Sequence, residues 1–203
     1  MHQLISVFYC CGINISKVVH VKKIIVFNLI IIITPVIAGL YGVLHDQLTY
    51  TISPEYYTKF KFYQFGLMNW DHETVILNPR LAAAKVGFLA TWWTGIFIGI
   101  ALAITAWSFK DLKTMVIKVS AAMAITIGVT FSVGLTGLIY GKFVLAHTGV
   151  SWPLPDDLLS KENFIVVGSI HNFSYFGGLI GLVVAITYLI KQKVSKADRQ
   201  HSE

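Results

Sequence analysis

Of the 203 residues, 55% are hydrophobic and 13% charged, and the mean hydropathy is +0.68, whereas a soluble domain carries about 25% charged residues. That composition describes one membrane domain with no room for a second, soluble one. The net charge of +6 does not point to nucleic acid, because the basic residues cluster at the ends of apolar runs and form no aromatic-studded face that tracks phosphates. The only cysteines, Cys10 and Cys11, are adjacent, and vicinal pairs bridge only under strain, so neither a disulfide framework nor a cysteine zinc site is expected.

Residues 1–23 read as a cytoplasmic segment ending in Lys22 and Lys23. The first apolar run, 24–44, is long enough for the roughly 20 residues that cross about 30 Å of hydrocarbon. Its stretch Thr34-Pro35-Val36-Ile37-Ala38 before Gly39 resembles a signal-peptide cleavage site. The apolar character nevertheless runs on to Leu44, which favours a retained span, and His45 lies outside on either reading. The outer connection 45–80 is aromatic and too long for a bare linker. Within it Thr49-Tyr50-Thr51-Ile52 favours an extended stretch. Ser53-Pro54-Glu55 then has the form of a helix start, with serine as N-cap and proline in the first turn. Tyr56, Tyr57, Phe60, Tyr63 and Leu67 come next at roughly helical spacing, with Gly66 near the end, as in a segment lying in the membrane interface.

Asn78-Pro79 caps the second span, 81–107. The third, 116–146, and the fourth, 164–190, flank an outer loop 147–163 containing Trp152-Pro153-Leu154-Pro155. A basic tail, 191–203, ends the chain. Lys17, Lys22, Lys23, Lys110, Lys113, Lys118, Lys191, Lys193, Lys196 and Arg199 fall on one side of these spans, while most acids fall on the other. The positive-inside rule therefore places both termini in the cytoplasm. The expected fold is all-α: an up-and-down bundle of four transmembrane helices with a structured outer loop between the first two. In a bacterium it would reside in the inner membrane. Gly95 and Gly99, Gly137 and Gly141, and Gly177 and Gly181 make small-xxx-small pairs that let helices approach closely. The same faces are candidates for homo-oligomers or other membrane subunits. Beyond these the bilayer is the expected partner.

Three histidines, His45, His147 and His171, end apolar runs on the same side, and each has a tyrosine deeper on its own helix face: Tyr41, Tyr140 and Tyr175. His147 stands further from the inner lysines than the other two, so its inclusion requires a tilted third helix. With Glu55 as the first-choice carboxylate, the three imidazoles compose a site for iron, copper or zinc. Asp46 ranks second because on a continuing helix it points away from His45. Asp71, His72 and Glu73 also lie in the outer loop, His72 reading as a solvated residue. The tyrosines are candidate catalytic groups, donating hydrogen bonds or a hydrogen atom. The chain thus reads as a membrane metalloprotein with its site on the outer face, and any enzymatic activity as metal-dependent oxidoreduction. A single b-type haem held by two of the histidines competes with a bare metal. A transmembrane haem pair does not, since the inner-side histidines, His2, His20 and His201, all lie outside the apolar runs. A non-catalytic subunit or scaffold is the reading from a different class. Nucleotide, hydrolase and zincin motifs are absent.

Overall fold

The computed structural model describes residues 15–69 and 75–201. Cys10, Cys11, Asp71, His72 and Glu73 lie outside them. The architecture is all-helical. Helix α1 runs Ile15–Ile52, α3 Pro79–Ala106, α4 Leu112–Tyr140 and α5 Lys161–His201, and all four are long and apolar enough to span a membrane. Between α1 and α3 lies α2, a short composite of Pro54–Tyr56, a π-turn Tyr57–Lys61 and Phe62–Gln64. The chain is a multi-pass integral membrane protein.

Local chemistry accounts for the boundaries. Ser53 accepts a hydrogen bond from Tyr56 N (3.2 Å), Asn78 from Leu81 N (3.1 Å) and Asp111 from Thr114 N (2.7 Å), so the starts of α2, α3 and α4 each have a side-chain cap. Gly66 and Gly149 have φ of 66° and 83° and stop their segments where an L side chain would strain. The 49–52 stretch departs from expectation, because it is the last turn of α1. Thr49 and Thr51 return their hydroxyls to the His45 and Gln47 carbonyls at 3.0 Å, which satisfies them within the helix. Propensity is a weak prior beside that packing.

The four long helices associate as two close pairs, α1 with α3 and α4 with α5. Glycine explains the intimacy. A Cβ on Gly95 would meet the Pro35 Cα at 2.6 Å, one on Gly177 the Val133 Cβ at 2.8 Å, and one on Gly141 the Ser169 Cβ at 2.9 Å. Gly42 and Gly87, a pair outside the expected motifs, place each other's backbone carbonyl where a side chain would go. The small-xxx-small faces are thus occupied inside this chain.

Two plugs seal the bundle. At the end carrying the termini, Ile30, Leu102, Ala106, Phe109, Met115 and Leu189 are buried together, and Lys23 sits over the Trp107 ring at 4.8 Å. At the opposite, loop end, Tyr56, Tyr57 and Phe62 of α2 bury against Ala83, Val86, Phe164 and Val167. Between these plugs the seam joining the two pairs opens into a cavity of about 320 Å³.

Candidate metal centre

The sequence Tyr41, His45, Asp46, Thr49 places four polar side chains on α1 at helical spacing, three of them lining or flanking the seam. On α5, His171, Ser174 and Tyr175 line the cavity opposite. The two stripes meet. His45 Nδ1 stands 3.1 Å and His171 Nε2 3.3 Å from the same oxygen, Asp46 Oδ1. The imidazoles lie edge to face with centroids 4.8 Å apart, and one ligating atom from each of the three residues lies within 4.8 Å of the others. Asp46 and His171 are each only 3% exposed.

Hydrogen bonding at the far side of the His171 ring sets its tautomer. His171 Nδ1 lies 2.9 Å from the Val167 carbonyl, which only accepts, so Nδ1 carries hydrogen and donates. Its Nε2 then turns a lone pair on the Asp46 carboxylate unless a proton or a metal cation lies between them. Neither Nε2 nor Asp46 Oδ2 has a hydrogen-bond partner among the described residues. His45 Nε2 lies 3.1 Å from Ser174 Oγ. The serine hydroxyl can donate or accept there: if Nε2 donates, Nδ1 turns a lone pair on Asp46, and if it accepts, Nδ1–H donates to Asp46 Oδ1. A backbone carbonyl or hydroxyl behind each imidazole is the arrangement that orients histidine on a metal. Two imidazoles and one carboxylate form a cluster that could hold a metal ion.

No family model, curated protein or solved structure matches this chain. The reading of the cluster therefore stands on its geometry.

The other expected site residues are divided between the seam and the surface. Tyr41 lies against the His45 ring at 5.9 Å, and its buried hydroxyl, turned toward Ser174, closes no hydrogen bond. Tyr175 lines the cavity, its ring 6.4 Å from His171, with 45% of its surface exposed. His147 is not brought in. It lies exposed beyond a π-turn, Gly141–Leu145, which adds about one residue to the helical register and rotates the residues beyond it by about 100°. Tyr140 faces outward as well, 43% exposed and packed on Phe173 at 5.6 Å. Glu55 is committed elsewhere: its carboxylate oxygens accept from Leu159 N and Ser160 N, both at 2.8 Å. The carboxylate at the imidazoles is instead Asp46, placed beside His45 because adjacent helical residues flank the direction facing α5. The edge-to-face rings with a carboxylate between them leave no slot for a macrocycle, so the arrangement does not fit a bis-histidine haem.

Helix α2 roofs the cluster. The Tyr56 and Tyr57 rings lie 5.0 and 6.3 Å from His171. Tyr57, fully buried, meets the Thr49 hydroxyl at 2.6 Å. Burial, reinforced by the Asp46 charge, pushes the Tyr57 phenol well above its ordinary range, so it remains protonated. Lys61 is also buried, its ammonium among the Phe60, Phe65 and Tyr56 rings at 5.5, 5.7 and 5.9 Å. Desolvation lowers its pKa, and the Asp46 charge opposes that shift. The roof is clipped to the 150–160 loop by Glu55 and by the Lys59–Asp157 ion pair, where the ammonium holds the Asp157 carboxyl below the usual range.

Proposed function

We propose that this protein is a membrane metalloprotein holding a divalent transition metal between His45 Nδ1, Asp46 and His171 Nε2 on the outer side of the bilayer, with oxidoreduction as its chemistry. The observation that carries the reading is the bare His171 Nε2 facing a buried carboxylate. His171 Nε2, which has no hydrogen-bond partner among the described residues, faces Asp46 Oδ1 at 3.3 Å, and the carboxylate's other oxygen is likewise unpartnered; a lone pair set against a carboxylate in an apolar bundle favours a positive charge between them. With only three protein ligands, a bound metal would keep coordination positions for other ligands, as a reactive metal requires. Ferrous iron suits the donor set best, with zinc and copper next. The orientation rests on the basic inner ends of the spans.

The contacts assign roles to the chain's own residues. Val167 and Ser174 orient the imidazoles, Tyr56 and Tyr57 keep water from the cluster, and Tyr41 holds a hydroxyl proton beside it. A bound metal would supply Lewis acidity or electron transfer at the open positions. The test is metal stoichiometry of the purified full chain, alone and after loading with ferrous iron. One tightly held ion per chain, lost in His171→Ala and Asp46→Asn with helical content retained, is expected. A chain that holds no ion after loading, or variants that retain it, would overturn the assignment and leave a shared proton between His171 and Asp46.

A further inference from the structure

Three buried side-chain polar atoms lack a hydrogen-bond partner among the described residues, Tyr41 Oη, Asp46 Oδ2 and His171 Nε2, and all three residues line the same seam cavity. A metal accounts for Asp46 and His171 but leaves the Tyr41 hydroxyl unspent. A buried hydroxyl without a partner is unfavourable, and a second ligand would relieve it. The lining threonines are back-bonded: Thr126 and Thr130 return their hydroxyls to their own helix at 3.0 and 2.7 Å, and Ser174 meets His45 Nε2 at 3.1 Å.

Charge narrows the ligand. No lysine or arginine lines the cavity or its rim, and a ligand that enters past Trp93, Phe97 and Leu179 crosses hydrocarbon, where a charged head is costly, so the occupant is neutral. Volume narrows it further. At about 320 Å³ the space is at the small end of ligand pockets, room for one substituted ring and not for a whole lipid. Tyr41, Trp93, Phe97 and Tyr175 line it with aromatic surface. Trp93, Phe97 and Leu179 are also 50%, 64% and 65% exposed on the outside of the bundle. They therefore form a rim between the cavity and lipid. The wall at Gly178 is open, since a Cβ there would meet only Thr130 Oγ1, at 3.9 Å.

Building on the metal reading, we propose that the seam cavity admits a neutral, membrane-soluble molecule of the quinone/quinol class from the side of the bilayer. Its ring oxygen faces Tyr41 and the His45–Asp46–His171 cluster, and its tail leaves past Trp93, Phe97 and Leu179. The Tyr41 hydroxyl donates to that oxygen. Access is lateral because the roof of α2 closes the loop end and the buried plug closes the other.

The test uses the full chain in lipid nanodiscs, with a decyl-substituted benzoquinone as probe and quenching of tryptophan fluorescence as readout. Metal content is measured on the same samples. Saturable quenching is expected, weakened about tenfold or more by Gly178→Leu, which fills the cavity, while the metal is retained. Decylbenzene, which has the tail but no oxygen, should not compete. Should Gly178→Leu fail to fold, Ala90→Leu from the opposite wall decides in its place. Metal-loaded wild type without saturable quenching, equal competition by decylbenzene, or undiminished binding in the filled variant would overturn the proposal. A wild type that binds the quinone but no metal would overturn the metal reading alone.

Discussion

Glu55 separates the sequence-based site from the one the fold builds, and Glu55→Ala tests the difference. Both of its oxygens accept backbone N–H groups from the 150–160 loop at 2.8 Å. Hydrogen bonds to a charged partner contribute about 1.5–3 kcal/mol each. Because both are partly exposed, about half that value is appropriate, giving about 2 kcal/mol for the pair. Loss of that clip makes opening of the α2 roof about 30 times more frequent. Amide hydrogen exchange in nanodiscs reads this directly, with faster exchange at Leu159, Ser160 and along 54–67 while the centres of α3 and α4 stay protected. Glu55→Gln, which keeps one acceptor oxygen, should fall between. Metal content should be unchanged in both variants. Unaltered exchange would refute the clip, and loss of metal equal to that of His171→Ala would restore Glu55 as a ligand.

Three further outcomes rest on named contacts. Ser174→Ala removes the group that orients His45, so metal affinity should fall about 10- to 100-fold in competition titrations without loss of fold; an unchanged affinity would show that His45 is oriented otherwise. Gly87→Ala pushes a methyl onto the Gly42 backbone and should cost about 1–3 kcal/mol in thermal or denaturant unfolding, whereas Gly128→Ala, with open space around it, should be neutral or stabilising; equal effects would contradict the tight α1–α3 crossing. Lys61 has a folded pKa below its ordinary 10.5, so the unfolded chain binds more protons between the two values and stability must rise with pH across that window. Lys61→Met should be more stable than wild type near pH 7, with the gap closing as pH rises toward about 10. Parallel melting curves would show that the ammonium is not buried.

Much of this architecture is legible from composition and periodicity. Four apolar runs, the caps at Ser53 and Asn78 and the three glycine pairs all act locally, through helical rise, capping and close approach. His45 and His171 are also visible, because an imidazole in an apolar run demands an inward partner. Register is what the pattern hides. The π-turn at Gly141–Leu145 has no clear signature among GKFVL, yet it breaks the face shared by Tyr140 and His147. Asp46 ranks second only on the assumption that neighbouring helical residues diverge. A carboxylate and an imidazole 100° apart instead straddle a facing helix, and the spacing of Tyr41, His45, Asp46 and Thr49 inside a run that stays helical carries that signal. The burial of Lys61 has none, since it depends on α2 folding back over the helix ends.

The central claim is a metal held by two imidazoles and a carboxylate inside the bundle. X-ray absorption at the metal edge of the loaded protein tests it most directly. The account predicts nitrogen and oxygen ligands near 2.0–2.2 Å, a scattering pattern of two histidines, no sulfur, and one histidine fewer in His171→Ala. A spectrum without imidazole scattering, or one that His171→Ala leaves unchanged, would contradict it.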